Sequence, residues 1–111
     1  MEIKEGLANE HLVLSLEGRL DANTSASLQE KLLAELDKRP KSIVVLDLGS
    51  LNYLSSAGLR VLLVAAKTGK KINTEVRLAA LRPHVEEVFT LSGFDALFSF
   101  FPTIDEAAKG P

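Results

Sequence analysis

The sequence contains no cysteine among its 111 residues. This absence excludes disulfides, thiolate metal ligands and cysteine nucleophiles, so any chemistry must use other groups. The sequence also lacks a long apolar run, because the stretch at residues 61–66 is far shorter than the roughly 20 residues of a membrane-spanning helix. Residues 1–5 have neither the basic end nor the apolar run of a signal peptide. We therefore expect a cytoplasmic location without membrane insertion.

The charged residues are nearly balanced, since 13 basic and 15 acidic residues give a net charge of −2. No segment concentrates lysine or arginine into the stripe that a nucleic-acid backbone requires, so we expect no nucleic-acid binding. The 46% hydrophobic and 25% charged residues are typical of a globular protein. The chain has the length of one domain, and we expect residues 1–111 to form it.

Five segments have the composition or alternation of β-strands, and they span residues 2–7, 11–16, 43–48, 75–81 and 97–101. The first two flank a predicted hairpin turn at residues 8–10. The third has almost no polar interruption, which is typical of a strand covered on both faces, so we place it centrally in the sheet. We expect the last one to be an edge strand.

Apolar residues at helical spacing predict three helices between these strands, and a fourth short helix follows the last strand. The first helix is predicted to end before Pro40, and the second to start at Ser55-Ser56 and stop at Gly69. The third is predicted to start at Pro83 and end at Ser92-Gly93. The fourth is predicted to have its cap at Thr103 and to end at Ala108.

The resulting order, β-β-α-β-α-β-α-β-α, predicts a single α/β domain with about five strands and about four helices. Strands that alternate with helices imply right-handed crossovers and a mixed, largely parallel sheet, with the opening hairpin as its antiparallel edge. Partners of such sheets usually meet the carboxyl ends of the strands. We expect a loop at residues 49–54 to leave the central strand at that end.

The most informative run, residues 46–60, ends in two serines that open the second helix. One hydroxyl can cap the helix, while the small residues Ala57 and Gly58 leave the approach to the other unobstructed. A phosphate on Ser56 would meet unpaired N–H groups and a favourable helix dipole, and Arg60 could pair with it. Capping without any further function is the alternative, and the pattern alone favours it.

The same run resembles the signature of bacterial anti-sigma factor antagonists, which are STAS domain proteins. In that signature a strand containing an aspartate, here Asp47, leads through a loop to a serine, a small residue, glycine and leucine. Gly18-Arg19-Leu20-Asp21 with Thr24 resembles the family's segment before the first helix, and Leu91-Ser92-Gly93-Phe94 resembles a later segment. The resemblance covers nearly the whole chain and implies a STAS-like fold.

The resemblance implies a function in transcription regulation. In the family, the serine at the position of Ser56 is phosphorylated by an anti-sigma factor that is also an ATP-binding serine kinase, and the unphosphorylated form binds that kinase and frees the sigma factor. We therefore expect phosphorylation at Ser56, a kinase partner, and a phosphatase as a further candidate partner. The implied partner-binding residues are Asp21, Thr24, Ser55, Ser56, Ala57, Gly58 and Arg60.

Four points stay open in this interpretation. Many family members have an aspartate where this chain has Ser55, so either Ser55 or Ser56 could be the modified residue. Asp21 and Thr24 could instead cap the first helix. The resemblance also fits a STAS subunit of a transporter, or a stress-signalling scaffold, without a phospho-switch, and the oligomeric state is open.

An enzyme is not expected. The hydrolase elbow needs G-x-S-x-G, and Leu54 occupies its first glycine position. The two histidines, His11 and His84, lie on a strand near the start and at the start of the third helix, and neither is a convincing general base. His84 has acidic neighbours only on its own helix, so we expect no metal and no cofactor.

Overall fold

The structure, a computed structural model, describes residues 1–110. Its elements are β1 (Glu2–Ala8), β2 (His11–Leu20), α1 (Ser25–Asp37), β3 (Ile43–Leu54), α2 (Ser56–Lys71), β4 (Glu75–Ala79), α3 (Pro83–Ser92), a short 3₁₀ helix (Asp95–Leu97), β5 (Ser99–Phe101) and α4 (Ile104–Ala107). The predicted order of strands and helices is confirmed. The 3₁₀ helix is an addition, and it contains Leu97, which the sequence pattern places in the last strand.

The five strands form one sheet in the order β1-β2-β3-β4-β5. β1 and β2 pair antiparallel, and the other neighbours pair parallel, so the sheet is mixed and largely parallel as predicted. β3 is central and β5 is an edge strand. The hairpin turns at Asn9 and Glu10, whose φ angles of 51° and 69° are those of a type I′ turn.

Alternation along the central strands separates two apolar layers. One face of the sheet packs against α1, α2 and α3. The buried residues of this layer include Leu14 and Leu46 from the strands, and Leu28, Leu62 and Phe89 from the helices. The other face carries a smaller cluster that α4 covers, with Val13, Ile43, Val45, Ala79, Ala107 and Ala108. The main core therefore lies under the three longer helices, and α2 has the sheet directly beneath it.

The predicted loop at residues 49–54 is wrong, because β3 continues without a break to Leu54. β2 likewise continues past residue 16 to Leu20 and stays paired with β3. Two register shifts in this ladder place additional residues on β3, so strict alternation of apolar side chains is lost. Glycine and asparagine in this stretch also have low strand propensity. Together these features explain why the sequence pattern did not reveal the strand.

Two predicted boundaries of the second half also change. Gly69 does not stop α2, which ends two residues later at Lys71. Gly69 is buried, and a Cβ on it would lie 2.5 Å from the carbonyl oxygen of Thr74, so its role is close packing at the start of β4. β4 ends at Ala79 rather than at residue 81, because Ala80 turns the chain with a φ of 62°.

Other helix ends agree with the sequence. Pro83 occupies the first turn of α3, and Gly93 ends that helix in the left-handed conformation with a φ of 76°. Thr103 caps α4 by accepting a hydrogen bond from the backbone of Glu106 at 3.1 Å. α1 ends at Asp37, before Pro40.

Candidate functional site

The candidate site forms where the ends of β2 and β3 lie side by side. Arg19 pairs with Tyr53 and Leu20 with Leu54 in the parallel ladder. The backbone N–H of Ser55 then donates to the carbonyl oxygen of Leu20 at 2.9 Å. These contacts bring the turn after β2 next to the first turn of α2, as the shared carboxyl edge of parallel strands requires.

Ser55 is the N-cap of α2. Its backbone is extended, with φ −89° and ψ 170°, and its Oγ accepts a 3.1 Å hydrogen bond from the backbone N–H of Gly58. The side chain is half-buried. The Ser55 hydroxyl thus accepts a hydrogen bond from one of the helix N–H groups that have no intrahelical partner.

Ser56 is the first residue of α2, and its side chain is exposed. Within residues 1–110 no hydrogen bond to its Oγ is present, in contrast to Ser55. The two neighbouring serines therefore differ in their environments. One hydroxyl stabilises the helix and the other faces solvent.

Gly58 lies beneath the surface and packs α2 against the end of β2. A Cβ at this position would lie 2.5 Å from Leu20 Cγ and 2.9 Å from the Leu20 carbonyl oxygen. Ala57 is half-buried beside it. The small residues therefore allow close backbone approach, which fixes the height of Ser56 above the sheet.

The turn between β2 and α1 is held by its own polar groups. The N–H of Asp21 donates to Thr24 Oγ1 at 2.9 Å, and that hydroxyl donates to the carbonyl oxygen of Arg19 at 3.1 Å. The Asp21 carboxylate accepts from the N–H of Asn23 at 3.0 Å. Thr24 makes no capping hydrogen bond to α1. The side chains of Asp21 and Thr24 therefore shape the turn and do not cap the helix.

Arg19 adds a cation to this edge of the site. Its guanidinium carbon lies 4.2 Å from the centre of the Tyr53 ring, and its Nε is 3.9 Å from an Asp21 carboxylate oxygen. Tyr53 itself is 40% exposed. Sequence reasoning missed Arg19 and Tyr53 as site neighbours, because their contact depends on the extension of β3.

A surface hollow of about 210 Å³ lies next to Ser56, and its lining residues are Ser56, Leu59, Arg60, Leu63, Ser92 and Phe94. Ser92 and Phe94 come from the end of α3 and the segment after it. These two residues were not among the predicted site residues. The sequence pointed to them only through the run Leu91-Ser92-Gly93-Phe94, which resembles a segment of the family.

Two further residues, Asp47 and Arg82, support the strand that leads to the site. Asp47, in the middle of β3, accepts from Ser15 Oγ at 2.8 Å and from the N–H of Gly49 at 3.0 Å. Near the end of β3, Arg82 donates to the side-chain oxygen of Asn52 at 2.8 Å and to the carbonyl oxygen of Gly49 at 2.9 Å. Asp47 is thus a structural residue of the strand, while Arg82 ties the strand to α3.

Each of the two histidines forms a hydrogen bond with a backbone carbonyl group and not with the Ser56 hydroxyl. His11 Nε2 is 3.1 Å from the carbonyl oxygen of Gly110, and His84 Nε2 is 2.6 Å from that of Asn52.

Within residues 1–110, no three acidic or histidine side chains are grouped so that they could hold a metal ion. Over the same residues, none of the helices combines the length and the apolar character that crossing a bilayer requires.

Comparison with known proteins identifies the family. Residues 1–107 match the STAS domain family model, so the chain belongs to the STAS domain family. It is 42% identical over 97 residues to BtrV of Bordetella bronchiseptica, a candidate anti-sigma factor antagonist, with 87% of this chain and 83% of BtrV covered. It is 32% identical over 100 residues to the anti-sigma-F factor antagonist RsfB of Mycobacterium tuberculosis, with 88% and 79% covered.

The fold agrees with this assignment. The crystal structure of an anti-sigma factor antagonist from Mycobacterium paratuberculosis superposes with a TM-score of 0.80 at 26% identity, covering 96% of this chain and 89% of that one. The resemblance to anti-sigma factor antagonists and the predicted STAS fold are therefore confirmed.

Proposed function

We propose that this protein is a bacterial anti-sigma factor antagonist. In the proposal its unphosphorylated form binds an anti-sigma factor that is also a serine kinase, and phosphorylation of Ser56 by that kinase releases it. The observation that carries the proposal is the solvent-exposed hydroxyl of Ser56 at the start of α2. The names of the similar proteins BtrV and RsfB support the general role.

The hydrogen bonds of the two serines support the choice of Ser56 over Ser55. Phosphorylation of Ser55 would require its half-buried hydroxyl to leave the N–H of Gly58, which it caps at 3.1 Å. Loss of such a cap costs about 1 kcal/mol. Ser56 pays no comparable cost, because its exposed side chain caps nothing within the described residues.

The fold should survive phosphorylation of Ser56. α2 has no acidic residue in its first turn, so the added phosphate meets no like charge there. The unpaired N–H groups and the dipole at the N-terminal end of a helix favour negative charge. The modification is therefore expected to change the surface and to leave the core intact.

A bound partner would respond differently to the phosphate. The modification adds about −1.5 to −2 charges at neutral pH, together with their hydration. A contact that fits a neutral hydroxyl would have to accept a strongly hydrated dianion, and this desolvation is costly. Release of the partner is the expected consequence.

The proposed docking surface surrounds Ser56. It includes the turn with Asp21 and Thr24, the half-buried side chains of Ser55 and Ala57, and the exposed side chain of Arg60. Gly58 is buried, so its part in the surface is to set the position of its neighbours. The protein would act in the cytoplasm, where the kinase and ATP are available, without a cofactor or an activity of its own.

The test is incubation with a purified cognate kinase and ATP, followed by intact mass measurement. We expect a mass gain of one phosphoryl group in the parent protein and in Ser55→Ala, and none in Ser56→Ala. Binding to the kinase should be retained in Ser56→Ala and weakened in Ser56→Asp. Equal affinities of these two variants would count against the switch.

The same experiment separates the alternative of a transporter or scaffold subunit. That alternative predicts a constant partner and no phosphoryl transfer to any serine. Turnover of a generic ester tests the absence of enzyme activity. Hydrolysis that disappears in Ser56→Ala would show that this serine is a nucleophile.

A further inference from the structure

Arg60 differs from the other arginines of this protein. Each of the other four arginines contacts a carboxylate, an aromatic ring or a carbonyl oxygen; they are Arg19, Arg39, Arg77 and Arg82. Within residues 1–110, the side chain of Arg60 takes part in no ion pair and no hydrogen bond, and it is exposed. The cation that lines the hollow beside Ser56 therefore has no fixed anionic partner there.

Ser56 and Arg60 are one helical turn apart and line the same hollow. Residues at this spacing are neighbours on a helix surface, and the order with the anion nearer the N-terminus is the more favourable one. Ser92, which is exposed at the end of α3, also lines the hollow. Among residues 1–110, no carboxylate lines the hollow, so no acidic side chain of its lining competes for the arginine.

We propose that Arg60, assisted by the hydroxyl of Ser92, holds the phosphate of phosphorylated Ser56 over this hollow. The inference rests on the proposed modification of Ser56. A guanidinium offers several N–H donors in a planar fork that matches two phosphate oxygens. Ser92 can donate one further hydrogen bond from the α3 side.

This capture gives phosphorylation a second effect beside the added charge. The remaining residues that line the hollow are apolar, and they are Leu59, Leu63 and Phe94. A phosphate held between Arg60 and Ser92 would cover these side chains and occupy the arginine. The modification thus withdraws a neutral hydroxyl, a cation and an apolar recess from any partner at the same time.

The experiment uses the full chain with phosphoserine incorporated directly at position 56, so that no kinase is needed. Phosphorus NMR then follows the second ionisation of the phosphate, whose ordinary pKa is about 6. Pairing with a cation favours the dianion and lowers this pKa. Arg60→Gln should raise it by roughly 0.3–0.7 units relative to the phosphorylated parent, as expected for an exposed pair.

Lys67→Gln is the matched control, since Lys67 is an exposed cation further along α2 that does not line the hollow. It should leave the pKa of the phosphate unchanged. Arg60→Lys should restore part of the shift, because the charge returns without the planar fork. Ser92→Ala should raise the pKa by less than Arg60→Gln does.

Equal pKa values in Arg60→Gln and Lys67→Gln would overturn the inference. That result would leave the kinase assay untouched, because phosphoserine is installed without the enzyme. Conversely, a protein that no kinase modifies would remove the proposed function while the titration still reports on Arg60. The two failures are therefore distinguishable.

Discussion

The backbone N–H of Ser55 donates a 2.9 Å hydrogen bond to the carbonyl oxygen of Leu20. This bond joins the end of β2 to the start of α2, two points that are far apart in the sequence. Gly58 completes the junction, because its missing side chain lets α2 approach Leu20 closely. The position of the Ser56 hydroxyl thus depends on a backbone contact between the two strand ends and the helix.

Gly58→Ala should destabilise the protein. The new Cβ would meet Leu20 Cγ at 2.5 Å and the Leu20 carbonyl oxygen at 2.9 Å. Overpacking of this kind costs about 1–3 kcal/mol, which exceeds the gain in helix propensity of up to about 1 kcal/mol. Urea denaturation should therefore give a lower free energy of unfolding.

Gly6→Ala is the matched control for this substitution. Gly6 lies on edge strand β1, and a Cβ there meets no atom of residues 1–110 within 4 Å. Its free energy of unfolding should stay within about 0.5 kcal/mol of the parent value. If both glycine variants were equally stable, the close packing at Gly58 would not matter for the fold.

Ser55→Ala and Ser56→Ala should differ in stability. Ser55→Ala removes the hydroxyl that accepts from the N–H of Gly58, so we expect a loss of about 1 kcal/mol. Ser56→Ala removes an exposed hydroxyl and should change stability by no more than about 0.5 kcal/mol. Thermal denaturation of both variants measures the difference, and a larger loss for Ser56→Ala would contradict the assignment of the cap.

Arg82→Ala should weaken the connection between β3 and α3. Arg82 donates to the side chain of Asn52 and to the carbonyl oxygen of Gly49, and losing these hydrogen bonds costs about 1–2 kcal/mol. Hydrogen exchange should speed up at residues 49–54. Arg60→Ala, which removes an arginine without such bonds in the described chain, should leave both exchange and stability near the parent values.

The ion pair between Glu75 and Arg77 should make a small part of the stability depend on pH. The hydrogen bond from Arg77 holds the pKa of Glu75 below its ordinary value of 4.5, and Ser99 adds a smaller contribution in the same direction. A lowered pKa contributes stability above the ordinary value, and this contribution is lost as the pH falls through the folded-state value.

Glu75→Gln should therefore reduce the free energy of unfolding near neutral pH by less than about 1 kcal/mol, since the carboxylate is half exposed and solvent screens the pair. The difference between variant and parent should shrink toward about pH 3. Urea denaturation at both pH values measures it. A difference that stays constant would mean that the carboxylate's charge is not its cause.

The sequence predicted the element order, the central position of β3 and most helix ends. These features depend on local signals, such as β-branched runs, leucines at helical spacing, and Pro83 and Gly93 at the ends of α3. The extension of β3 to Leu54 could not be predicted from such signals. It depends on pairing with the end of β2 across two register shifts, and a bulged strand loses the alternation by which strands are recognised.

For the site, local sequence patterns were enough to predict that two serines begin α2 and that small residues and Arg60 follow them. The folded structure was needed to distinguish the serine that caps the helix from the one that faces solvent, and to show that Ser92 and Phe94 complete the hollow next to Arg60. The reason is physical. Caps and periodic patterns act between residues that are close in the sequence, whereas exposure and a shared hollow depend on which distant elements the folded chain brings together.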